Sequence, residues 1–159
     1  MTETKIRPAD ETDLERILEI YAYAREFMAQ NGNPTQWHSG YPRRELLEED
    51  IRLGRLYAVM RQNEICGAFV FFIGDDPTYE YIDGSWRSDS AYGVIHRIAG
   101  IGGGIFCAAL EFCLSRISLN EKRFFLMEYS ASSRSLSSRL TSSFRIVPKL
   151  LRIGSILSV

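Results

Sequence analysis

The residues best suited to chemistry lie together between His96 and Arg116, in HRIAGIGGGIFCAALEFCLSR. An apolar strand over 92–99 runs into Gly100, Gly102, Gly103 and Gly104 and leaves as an amphipathic helix, and Arg97, Gly100 and Gly102 spell R-x-x-G-x-G. A strand that enters a helix through glycines is a site for an anion. The N–H groups of a first helical turn have no partners inside the helix, the helix dipole adds about half a positive charge there, and glycine lets the main chain approach a diphosphate with no side chain between. A nucleotide P-loop would follow its glycines with Lys-Ser/Thr, where Ile105 and Phe106 stand here. A dinucleotide fold would carry G-x-G-x-x-G near the chain start and an acid about 20 residues on, and neither is present. A turn that merely ends a strand is the competing reading of the motif taken alone.

Other side chains supply candidate proton-transfer and recognition groups. Imidazole as a side chain suits general-base work at neutral pH, and His96 sits late on its strand; strict alternation puts it on one face with Val94 and Ile98. A hydrogen-bonded structural histidine is the alternative. The second histidine, His38, lies in a loop beside Gln36 and Trp37. Tyr79, Tyr81, Asp83, Trp86 and Asp89 gather aromatic rings and acids between two strands, a composition that can receive a cationic amine or simply form a flap over buried rings. Glu128 follows an apolar stretch, and its carboxylate either relays a proton through water or is solvated. Cys66, Cys107 and Cys113 form no C-x-x-C pair and no zinc spacing, and no metal site is expected. Their odd number and apolar neighbours predict buried, reduced thiols in a cytoplasmic protein.

The elements that position these groups follow from hydrophobic period. Residues 5–8 form a first strand. A helix starts near Asp10 or Thr12, where Thr12 and Glu15 have capping-box spacing, carries Leu14, Ile17, Leu18 and Tyr21 on its core face, and fades at Asn31-Gly32. A second helix over 43–53 is stopped by Gly54. Strands over 56–60 and 66–73 form a hairpin turning at Asn63, and Asp75-Asp76-Pro77 ends it. After the strand over 92–99, the helix over 104–116 has Ile105, Phe106, Ala109, Leu110 and Cys113 as its apolar stripe. A strand over 124–127, a weak helix over 133–142 and an edge strand over 145–153 complete the series.

R-x-x-G-x-G on a late strand–turn–helix resembles the diphosphate loop of the GCN5-related N-acetyltransferases. The strings GDDPTYEYIDGSW, SDSAYGVIHRIAG and NGNPTQWHSGYP resemble a bacterial subgroup of that family, over residues 1 to about 116. The order β-α-α-β-β-β-α-β-α-β matches the family architecture, an α/β (α+β) fold with a mixed, mostly antiparallel sheet and helices on both faces. The resemblance implies acetyl-coenzyme A as cosubstrate, held by Arg97, Ile98, Ala99, Gly100, Ile101, Gly102, Gly103, Gly104 and Ile105. Ile98 and Ala99 would lend main-chain contacts to the pantetheine arm. Arg97 would occupy the motif's Arg/Gln slot; a surface arginine paired with an acid is the alternative. His96 and Glu128 become the candidate bases, and Gln36, Trp37, Tyr79, Tyr81 and Trp86 the candidate walls of an amine pocket, with Trp37 equally readable as packing under its loop. The implied reaction is direct transfer of an acetyl group to a small primary amine, or to a protein amine; a non-catalytic module that binds acyl-coenzyme A is the rival.

Length and charge bound these readings. A chain of 159 residues, 45% hydrophobic and 25% charged, suits one domain with its own core. The net charge of −1 gives no global pull toward nucleic acid or an anionic membrane, no apolar run is long enough for a membrane helix, and a homodimer is left open. The charge divides unevenly: residues 1–115 carry 18 acidic and 11 basic side chains, whereas residues 116–159 carry two and eight, with 11 serines. In that last part the family's expected glycine before Phe144 is Ser143, and no tyrosine follows Tyr129. A divergent, a degenerate and a frame-shifted ending all fit that change. The basic tail alone speaks for nucleic acid, and it lacks interleaved aromatic residues.

Overall fold

The computed structural model describes residues 3–35, 37, 40–74, 93–116 and, for the main chain alone, 124–126. Its elements are β1 (Thr4–Pro8), α1 (Leu14–Gln30), α2 (Arg44–Arg52), β2 (Leu56–Arg61), β3 (Glu64–Ile73), β4 (Gly93–Gly100), α3 (Ile105–Arg116) and β5 (Phe124–Leu126). The five strands form one sheet in sequence order. β1 through β4 pair antiparallel, and β5 joins β4 in parallel. The expected mixed, mostly antiparallel sheet is therefore present. The expected helix over 133–142 and strand over 145–153 lie outside the described residues, as do Gln36, Tyr79, Tyr81, Trp86 and Glu128.

Alternation along β3 sorts the core into two layers. Ala68 and Val70 face α1 and α2, together with Ile17, Ile20, Tyr21, Ala24 and Leu47. Phe69 and Phe71 face α3, against Ile105, Phe106, Ala109 and Cys113. Helices thus cover both faces of the sheet, as strands buried on both sides require. Among the described residues no helix is long and apolar enough to cross a membrane.

The entry to α1 differs from its expected form. The capping box is built by Asp10 and Asp13 around a single 3₁₀ turn over Glu11–Asp13, not by Thr12 and Glu15. Asp10 accepts the Thr12 N–H at 2.8 Å, and Asp13 accepts the Asp10 N–H at 3.0 Å. Asp13 is buried and also takes a two-pronged bond from Arg7 at 2.6 and 2.8 Å. That bond holds its carboxyl below the ordinary carboxylate range. The β2–β3 hairpin turns at Gln62 and Asn63, both with positive φ (49° and 65°). Such a pair makes a two-residue turn whose twist matches its strands.

The thiols depart from expectation at two positions, Cys66, which is half-buried, and Cys107. Cys113 is buried and its thiol is pushed up to about 12, whereas Cys107 lies exposed on α3. Cys107 falls off the helix's apolar stripe, so the same period that buries Cys113 turns it outward.

Candidate functional site

β4 is the strand on which the site is built, and a bulge shapes it. Ala68 pairs with Ala99 and Val70 with His96, so Phe69 alone stands opposite both Arg97 and Ile98. Arg97 takes a left-handed conformation there, φ 51°, an uncommon state for a side-chain-bearing residue. The extra residue corrects the expected alternation. His96 shares its face with Val94 but not with Ile98, which joins Ile95 in the layer under α3. His96 and Arg97 turn toward α1 and α2, and β5 pairs with β4 only over Gly93–Ile95, ending just short of the bulge. Among the described residues, no strand covers the outer edge of β4 from His96 onward. A bulge that ends pairing and re-aims side chains is a frequent neighbour of a reaction centre.

Two side chains hold this bulge from the helix layer, Asp50 and Tyr21. The buried Arg97 guanidinium forms an ion pair with Asp50 of α2, itself buried. Burial pushes the Asp50 carboxyl up, opposed by the Arg97 charge, which pulls it down. The Tyr21 hydroxyl donates to the Arg97 carbonyl oxygen at 2.7 Å. Arg97 is thus paired with an acid as the alternative reading had it, but inside the protein rather than on the surface. Trp37 lies in the core with 4% exposure, edge-on to Tyr21 at 5.6 Å and tilted against Tyr41 at 6.1 Å. It stands behind the tyrosine that grips the bulge. The His96 ring is tilted against Phe72 at 6.1 Å.

The glycine turn after β4 divides its glycines among different tasks. Gly100 is needed for packing: a Cβ there would lie 2.6 Å from Ile105 Cγ1 and 3.0 Å from Ile105 Cβ. Gly67, its partner across the ladder, meets the same side chain, with a Cβ 2.7 Å from Ile105 Cγ2. Ile105 therefore plugs the helix start into a socket floored by two glycines. Gly100→Ala is expected to cost about 1–3 kcal/mol by overpacking, read as a lowered midpoint in thermal or denaturant unfolding. Adding Ile105→Ala should cost less than the sum of the two single changes. Gly102 and Gly104 have positive φ (87° and 80°), which the turn requires and other residues strain to adopt. A Cβ on Gly103 would meet nothing within 4 Å.

The amides divide as well. The Ile101 N–H donates to the Cys66 carbonyl at 2.7 Å. The β2–β3 ladder shifts register around Cys66, since Val59 pairs with Gly67 and Met60 with Ile65. Ile101 is thus removed from the expected anion cradle: its amide is an anchor. Among the described residues, the N–H groups of Gly102, Gly103 and Gly104 have no acceptor. They precede α3, whose positive dipole end adds to them. One feature of this end had no sequence signal: the Arg61 guanidinium, from the end of β2, lies beside the turn. A Cβ on Gly104 would be 3.1 Å from one of its terminal nitrogens, and a Cβ on Gly102 would be 3.8 Å from the other. The register of a hairpin 40 residues upstream brings it there.

The residues fit a coenzyme A diphosphate. Three amides without acceptors, an open position at Gly103 and a cation converge at the end of β4, beside a strand edge able to take an extended arm. Among the described residues no group of three or more His, Cys, Asp or Glu could hold a metal ion.

Comparison with solved structures gives the same architecture. The chain is similar to a GNAT-family acetyltransferase from Streptococcus agalactiae 2603, at 26% identity and a TM-score of 0.54, over 61% of this chain and 58% of that one. It is similar to a proposed acetyltransferase of Staphylococcus aureus Mu50, at 26% identity and a TM-score of 0.52, over 70% and 72%. A predicted acetyltransferase from Clostridium acetobutylicum, solved with acetyl-CoA, shares the fold at 14% identity and a TM-score of 0.50, over 79% and 81%. No family model and no curated protein matches the chain.

Proposed function

We propose that this chain, whose fold and sequence resemble the GCN5-related N-acetyltransferases, transfers the acetyl group of acetyl-coenzyme A to a primary amine. The observation that carries the reading is the set of amides at Gly102, Gly103 and Gly104 that have no acceptor among the described residues, placed just past the end of β4. Acetyl-coenzyme A, when bound, supplies a thioester whose carbonyl carbon an amine attacks while the sulfur leaves as thiolate. The glycine turn holds the diphosphate. The main chain of Ile98 and Ala99 borders the arm, and the bulge at Arg97 sets the direction in which that edge points.

His96, at the same bulge, receives the amine's proton. Asp50 of α2, paired with the neighbouring Arg97, stands on the same side of the sheet. Glu128 is the second candidate base. Trp37 supports the pocket from behind, while Gln36, Tyr79, Tyr81 and Trp86 remain candidate contacts to the acceptor, a small molecule in this reading. A relay through Cys113 is disfavoured, because burial keeps that thiol protonated at neutral pH. Much of the acceleration comes from holding amine and thioester together.

The test has two steps. Calorimetric titration with acetyl-coenzyme A should give binding, and an amine panel should then release free coenzyme A thiol. Binding with no thiol release from any amine would make the chain an acyl-coenzyme A-binding module; no binding would remove both readings.

A further inference from the structure

The geometry points to Arg61 as the side-chain cation that grips the coenzyme A diphosphate from across the sheet, with Thr4 as the residue that aims it. This rests on the proposed cosubstrate and adds a residue that the R-x-x-G-x-G motif does not contain. The motif's own arginine, Arg97, is committed to Asp50 in the core, so the loop takes its cation from elsewhere.

Arg61 is the last residue of β2, and its register partner in β1 is Thr4. Its Nε donates to Thr4 Oγ1 at 3.3 Å. That bond uses the one guanidinium donor that faces back along the side chain. The two terminal nitrogens are directed to the glycine turn, one beside Gly102 and the other beside Gly104. Among the described residues these terminal nitrogens form no ion pair, even though Glu64 stands opposite Arg61 in the hairpin. A planar fork set against a row of main-chain amides matches two adjacent phosphates better than one. Guanidinium presents its donors in a fixed plane suited to oxyanions, whereas an ammonium acts as a point charge. The anchors of the turn keep this register. Ile101 is tied to Cys66, three residues past the hairpin turn, so loop and arginine belong to one rigid corner.

The test is calorimetric titration of acetyl-coenzyme A and of its 3′-dephospho form into the parent, Arg61→Ala, Arg61→Lys and Thr4→Val, with melting curves for each. Arg61 is only half-buried at a strand end, and its removal should leave the melting temperature close to that of the parent. Arg61→Ala is expected to weaken both ligands about 10- to 100-fold, the range for losing charge-assisted hydrogen bonds to a phosphate. It should also flatten the salt dependence of binding. Arg61→Lys should recover part of the loss, and Thr4→Val should weaken binding a few-fold by releasing the fork. Parent-like affinity in a folded Arg61→Ala would overturn the inference while leaving the proposed function standing. Weakening confined to the 3′-phosphorylated ligand would also overturn it, moving Arg61 to the ribose phosphate. A parent that binds neither ligand would sink the underlying function as well.

Discussion

Gly103→Glu is expected to leave the fold intact and to weaken acetyl-coenzyme A binding by at least a hundredfold. The position is chosen on conformation. Gly102 and Gly104 have positive φ, so any side chain there would strain the turn and confuse loss of fold with loss of binding. Gly103 does not, and a Cβ there meets open space. Its amide is one of the three that face the proposed diphosphate, so a carboxylate at this point meets phosphate oxygens at close range. Two like charges about 4 Å apart repel by ~4 kcal/mol at an effective dielectric constant of ~20, which is about three decades in affinity. The new acid would also attract Arg61 and withdraw a second contribution. Gly103→Ala is the control: the amides remain and no charge enters, so affinity should stay within about threefold of the parent. Calorimetry beside thermal unfolding reads both quantities. A Gly103→Glu protein that melts like the parent and still binds acetyl-coenzyme A with parental affinity would show that the turn is not the grip.

The parts of the fold that sequence conveys are those set by local period. The split of Ala68 and Val70 from Phe69 and Phe71 across β3, the buried stripe of α3 and the hairpin at Asn63 all follow from residues within one element. The glycine turn, the proposed anion site, was legible as a turn for the same reason, since its character is in its main chain. The two bulges were not. A bulge adds one residue to a ladder without a required residue type, so the alternation that put His96 beside Ile98 looked unbroken. The role of Gly100 was likewise hidden, because the side chain that excludes a Cβ there is fixed only by the packing of α3 onto β3 and β4. Arg61 and Asp50 act across 40 or more residues of chain, and neither stands in a motif. The acid opposite Arg97 could be expected in kind but not in position.

Asp50→Ala should be the most destabilising single change at the site. It leaves the Arg97 guanidinium buried without its counter-charge, in a residue whose Nε already has no partner. Removing one member of a buried pair costs about 3–5 kcal/mol, and for a domain of this size that lowers the melting temperature by roughly 6–20 °C. The pair's net worth is a separate quantity, because burying two charges is itself costly. Asp50→Leu combined with Arg97→Met removes both charges and fills similar space, and it is expected to regain most of the stability lost by Asp50→Ala. The Tyr21 hydroxyl still holds the main chain of residue 97 in that double variant, so the bulge should persist. The acid beside the bulge that carries His96, however, would be gone. Restored stability with thiol release still depressed, and with cosubstrate affinity unchanged, would assign Asp50 to proton transfer as well as to folding. Restored stability with full activity would confine it to folding. A loss below 1 kcal/mol for Asp50→Ala itself would mean that water reaches Arg97 and that the bulge is held by Tyr21 alone.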